Sequence, residues 1–300
     1  MPVFNRQRRR ILLNRLFEFL FKSAGYLCIV ALSAIFVLLL YNSSAFFSEV
    51  WLFDFLTGLE WRPEEYVKDS RYGLLPLLAS TLWVTICAML IAGPLGVGVA
   101  LYLSEYADKR VERILKPAIE ILAAIPSVVV GFLGIVVLGP GLARLFGLSS
   151  GLNALNGAIL LAIMALPTII TVAEDAIQAV SNSLKEASYG LGANKWQTLS
   201  RVVLPAAFPG VLAALMLGMG RAIGETMTVL MATGNAAAFP RGLFDAIRTI
   251  TATIAIEMGE APHQTTHYHG LFAIALALFL ITMGVNALAE RIANNFRRFQ

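Results

Sequence analysis

Residues Glu186–Pro205 read EASYGLGANKWQTLSRVVLP, and the fold turns on how this polar stretch sits between two long apolar ones. Gly192 supplies the backbone freedom of a sharp turn, so the spacing predicts two short helices joined there. Leu184, Ala187 and Leu191, then Trp196, Leu199 and Val203, recur at helical spacing and give the pair an apolar side. Pro205 is expected to open the following helix, in the first turn, where a missing N–H leaves no intrahelical bond unmade. A short amphipathic helix hung between two apolar spans suits docking in a groove of a soluble partner.

Outward from this loop the chain is dominated by uncharged blocks. Ser23–Ser48, Tyr72–Ser104, Ile121–Ala143, Leu145–Ala173 and Gly270–Ala289 carry no charge, and Val202–Phe239 carries only Arg221 and Glu225. Each is long enough for the roughly 20 apolar residues that a helix needs to cross a bilayer. Tyr72–Ser104 exceeds one straight crossing, so tilt or extension into the interface is expected. With 58% hydrophobic and 14% charged residues and a mean hydropathy of +0.73, the chain has too few charges to cover a soluble surface. The expected architecture is an all-α membrane protein of six transmembrane helices.

The first apolar block lacks a small-residue cleavage site and is longer than a signal-peptide core, so it is expected to remain as a span. Before it, Asn14, Arg15, Glu18 and Lys22 share one side of Ile11–Lys22, the pattern of a short interfacial elbow helix. Of 23 Lys and Arg, 16 fall on the N-terminal, 105–120, 174–201 and C-terminal segments and 6 on the opposite loops. That asymmetry predicts both termini in the cytoplasm of a multi-pass inner or plasma membrane protein. The net charge of +4 reflects topology and lipid headgroups, and nothing in it points to nucleic acid. The expected division is 1–22 as cytoplasmic N-terminus and elbow, 23–71 as first span and external loop, 72–290 as a five-helix transmembrane domain, and 291–300 as a cytoplasmic tail.

Several chemistries find no motif. There is no phosphate loop of the G-x-x-x-x-G-K-[ST] type, so ATP is not expected to bind this chain, and no H-E-x-x-H or G-x-S-x-G pattern occurs. No cofactor and no metal are expected. His263, His267 and His269 read as a solvated external loop, and Cys28 and Cys87 as buried free thiols. Gly93–Pro94, Pro126, Gly139–Pro140, Pro167 and Pro209 read as simple kinks. Glu49–Arg71, with two Trp and nine charges, could form a small amphipathic cap.

The pattern Glu186-Ala187-Ser188, three residues, Gly192, eleven residues, Leu204-Pro205 resembles the EAA loop of ABC importer permeases, with Ser188 in place of the second Ala. Two further stretches are similar to phosphate importer permeases: Leu122–Gly134 (LAAIPSVVVGFLG), and Leu217–Val229 (LGMGRAIGETMTV) with Gly234-Asn235, the latter closest to the PstC type. The resemblance implies the type I ABC importer permease fold, with Glu186, Ala187, Gly192, Leu204 and Pro205 in a coupling loop seated on an ATPase subunit. It also implies a PstA-like second permease, two nucleotide-binding subunits that use ATP, and an external phosphate-binding protein.

Arg221 and Glu225 stand at membrane depth, where ionisable side chains are costly and face a cavity or a partner. Four residues apart, they are expected to share a helix face. Either they neutralise each other and orient the span, or Arg221 meets an oxyanion while Glu225 holds it in place or keeps the anion from being trapped too tightly. Gly218, Gly220 and Gly224 would let a helix or the substrate approach. The resemblance favours Arg221, Glu225 and Gly224 in a substrate pathway. The same architecture could carry sulfate, molybdate or phosphonate. A membrane-embedded enzyme or an ion-coupled carrier fits less well, since no nucleophile set and no internal repeat is found.

Overall fold

The computed structural model describes residues 2–63 and 70–297, and they build a helical bundle. Helix α1 (Pro2–Glu49) leads into α2 (Leu52–Thr57) and a two-stranded antiparallel hairpin, β1 (Trp61–Arg62) and β2 (Arg71–Tyr72), with Trp61 opposite Tyr72. Then come α3 (Leu75–Glu105), α4 (Lys109–Ala124), α5 (Ser127–Leu133), α6 (Gly139–Phe146) and α7 (Ala154–Gln178). The loop helices α8 (Asn182–Gly190) and α9 (Lys195–Thr198) precede α10 (Leu204–Gly224), α11 (Met227–Ala232), α12 (Ile250–Glu257) and α13 (Thr266–Arg297). Among the described residues six stretches are long and apolar enough to cross a membrane: Phe17–Glu49, Leu75–Glu105, Ser127–Phe146, Ala154–Gln178, Lys195–Gly224 and Thr266–Ala293.

The centre of the bundle is α7, packed between α3 and α10. Ala158, Leu161, Ala162, Ala165, Ile169 and Ala173 lie buried along it. Small residues dominate because in lipid the gain comes from close packing and not from leaving water. Ile169 shows how close: a Cβ at Gly96 of α3 or at Gly218 of α10 would come within 2.7 or 2.5 Å of its side chain. The first span is peripheral and meets α13, with Phe36 and Phe279 rings 5.5 Å apart.

Three expectations change, and a fourth holds with a difference. The elbow is not a separate helix: α1 runs unbroken through residues 22 and 23, with Lys22 and Glu18 paired at 2.7 Å on its surface. The block Ile121–Ala143 is not one helix, because Pro126 interrupts it, so the end of α4 and the third span share it. Cys28 is exposed on α1 and Cys87 half-buried, so the thiols are not both buried. Pro205 does stand in the first turn of α10, but the helix runs on without a break from Lys195 to Gly224.

The reason is a π-helical turn, Leu199–Val203, in which the Leu204 N–H reaches back to the Leu199 carbonyl. The change of register falls one residue before the proline that has no N–H to give. Gly139–Pro140 in the third span repeats this device after the π turn Gly134–Leu138. There buried Asn156 clamps the turn, donating from Nδ2 to the Gly134 and Gly151 carbonyls at 3.0 Å each.

Candidate translocation site and coupling loop

Arg221 sits in the last turn of α10, and the helix ends three residues later. Glu225 is its C-cap, with extended backbone (φ −70°, ψ 127°). The two residues therefore do not share a helix face, and among the described residues no ion pair joins them. Arg221 Nη1 donates instead to Thr168 Oγ1 of α7 at 3.1 Å. Glu225 Oε1 accepts from Thr228 Oγ1 at 3.2 Å, and its backbone carbonyl accepts from Thr251 Oγ1 at 3.0 Å. Thr228 is also 3.2 Å from the Ser127 carbonyl at the start of α5. The expected four-residue pair fails because the chain leaves the helix at Glu225, a break that hydropathy does not register.

Threonine hydroxyls thus hold a guanidinium and a carboxylate that, among the described residues, are not paired with each other. Thr168, Thr228 and Thr251 come from three helices, α7, α11 and α12. Gly218 is locked against Ile169, whereas a Cβ at Gly220 or Gly224 would meet nothing within 4 Å. Leu217 and Met227 are exposed beside them. Of the three glycines, one therefore serves packing and two keep an open side next to Arg221. A planar guanidinium held by a neutral hydroxyl keeps its remaining N–H donors for an oxyanion.

The loop reads as expected: α8 and α9 are joined through Gly192, which has φ +85°. Asn194 and Gln197 form a reciprocal capping box at the start of α9. Glu186, Ala187, Leu184, Leu191 and Trp196 are exposed, Leu191 at 91%, while Leu199 and Val203 are buried. Ser188 is buried, its hydroxyl 2.9 Å from that of Thr198. The serine that departs from the EAA pattern thus closes α8 onto α9. Lys185 of α8 bonds Glu105 at the end of α3, and Lys195 lies 4.4 Å over the Tyr106 ring.

Two polar clusters escaped the sequence reading. Glu174, buried in α7, bonds Lys116 of α4 at 2.8 Å, and Lys116 also bonds Glu112. The carboxylates of Glu112 and then Glu174 hold the Lys116 ammonium well above the usual lysine range. At the opposite end, buried Glu257 accepts from Trp61 Nε1 and Arg248 Nη1 and shares a hydrogen bond with His267 Nε2, each at 2.9 Å. His267 is therefore a buried bundle residue and not part of a solvated loop. Among the described residues no three side chains converge as metal ligands.

The family model described as binding-protein-dependent transport system inner membrane component matches residues 92–298. The chain belongs to this family. Members that it resembles include the probable ABC transporter permease protein YqgH of Bacillus subtilis, 40% identical over 229 residues, covering 76% of this chain and 74% of that one. The phosphate transport system permease protein PstC of Mesorhizobium japonicum is 35% identical over 302 residues, covering 94% of this chain and 90% of that one. Among solved structures, the inward-facing MetNI methionine ABC transporter aligns with a TM-score of 0.56 at 21% identity, over 75% of this chain and 94% of that one. The six spans have the type I ABC importer permease fold.

Proposed function

We propose that this chain is the permease subunit of an ATP-driven importer that carries inorganic phosphate across the inner or plasma membrane. The carrying observation is Arg221: a guanidinium within the bundle, held by Thr168, unpaired with Glu225, and next to two glycines with open space. The likeness to PstC proteins over nearly the whole chain supports phosphate as the oxyanion. In this reading Arg221 meets the anion, and Glu225, tied to Thr228 and Thr251, limits how tightly the anion is trapped. Gly224 keeps the approach clear.

The loop carrying Glu186, Ala187, Gly192, Leu204 and Pro205 docks on a separate ATPase subunit. Its exposed Leu184, Leu191 and Trp196 give it the apolar surface that helix-in-groove recognition uses. ATP is hydrolysed on two such subunits, and a PstA-like second permease completes the pathway. An external binding protein delivers phosphate. The charge asymmetry supports a cytoplasmic loop and cytoplasmic termini.

The test is ATP hydrolysis by the reconstituted complex in the presence of its binding protein. Inorganic phosphate is expected to stimulate it. Stimulation by sulfate, molybdate or a phosphonate and not by phosphate would overturn the substrate, and loss of Glu186 with full coupling retained would overturn the docking role.

A further inference from the structure

The coupling loop is bonded to a span that it does not directly connect. Lys185 of α8 and Glu105 of α3 pair with side chains 17% and 12% exposed. The surface pairs Lys22–Glu18 and Arg71–Glu60 are at least 51% exposed on every side chain. A shielded pair is screened less by salt, and removing one partner strands the other's charge. Lys195 over Tyr106 makes a second cationic contact one residue beyond α3. The Ser188–Thr198 bond closes α8 on α9, so both contacts belong to one stiff unit.

From Glu105, α3 is a single helix to Leu75. Near its far end Thr81 Oγ1 accepts from the Ile250 N–H at 3.1 Å. The next residue, Thr251, donates to the Glu225 carbonyl. A shift of α3 therefore reaches the backbone beside Glu225 without passing through α10.

We propose that the Lys185–Glu105 pair is the link through which displacement of the coupling loop is passed to α3, and through α3 to the segment that holds Glu225. Both are positioning residues, and the inference rests on the loop being the ATPase docking site. Span five then does not carry the stroke alone: the loop moves α10, which it joins, and α3, which it grips.

The experiment uses the chain assembled with its ATPase subunits, second permease and binding protein in proteoliposomes, with phosphate uptake and ATP hydrolysis measured in parallel. Lys185→Met and Glu105→Gln should each lower phosphate taken up per ATP hydrolysed by about fivefold or more, the low end of site-to-site coupling. The exchanged pair, Lys185→Glu with Glu105→Lys, should restore the ratio. A purely structural role lowers the yield of complex and leaves the ratio unchanged, and that result overturns the proposal. So does an exchanged pair that assembles without restoring the ratio. If one single variant does not assemble, the other carries the same test. Crosslinking from a Glu186→Cys variant to the ATPase subunit is read separately: its absence defeats the docking reading itself, whatever the ratio does.

Discussion

Two arginine–glutamate pairs divide this molecule. Arg221 and Glu225, four residues apart in an apolar stretch, are the pair that spacing singles out, and they do not bond. Arg248 and Glu257, nine residues apart, bond at 2.9 Å within a cluster that includes Trp61 and His267. Four-residue spacing makes a pair only while the helix continues, and α10 stops at Gly224. The second pair forms because the segment before α12, the hairpin and the start of α13 all point donors at one buried carboxylate on α12. Charges that are mutually satisfied hold structure, and charges kept apart are left for a ligand.

That contrast can be broken by stability measurements on the purified complex. Glu257→Ala should have the largest effect. It strands Arg248 and two ring N–H groups, at a cost of about 2–3 kcal/mol, somewhat under the usual value for a fully buried pair because Arg248 keeps some solvent. Melting at the wild-type temperature would show that the cluster holds nothing. Trp61→Phe keeps the edge contact with Tyr72 and loses one hydrogen bond to a carboxylate, so melting should register about 1–2 kcal/mol.

At the other pair the effects on stability should shrink while those on transport grow. Thr168→Val frees Arg221 from its one described partner, and uptake should fall by about fivefold, the worth of roughly 1 kcal/mol of hydrogen bonding. A variant with wild-type uptake removes Thr168 from the site. Glu225→Gln keeps an acceptor for Thr228 and should shift stability by no more than about 0.5 kcal/mol. A loss several times larger would mean that Glu225 and Arg221 do pair, and the contrast would collapse.

Much of this architecture is legible in sequence, for physical reasons that particular elements make plain. Long uncharged blocks bound the six spans because no charge is tolerated there without a partner. Gly192 announces the loop because the backbone freedom of a sharp turn is a local property. The site is less legible. Thr168 lies 53 positions from Arg221, and Glu257 lies 196 from Trp61, so no spacing rule joins them. His267 looks solvated because its neighbours in sequence are polar, whereas its neighbours in space are Glu257 and the bundle. The π turns before Pro140 and Pro205 also escape, since a proline marks a disturbed helix without saying how the helix absorbs it.

The central claim is that Arg221 is kept unpaired within the bundle to meet the transported anion. It is tested most directly by Arg221→Gln in the reconstituted complex, with phosphate uptake, basal ATP hydrolysis and melting measured together. The account predicts that uptake is abolished while basal hydrolysis and melting stay at wild-type values. Normal uptake by that variant would contradict it.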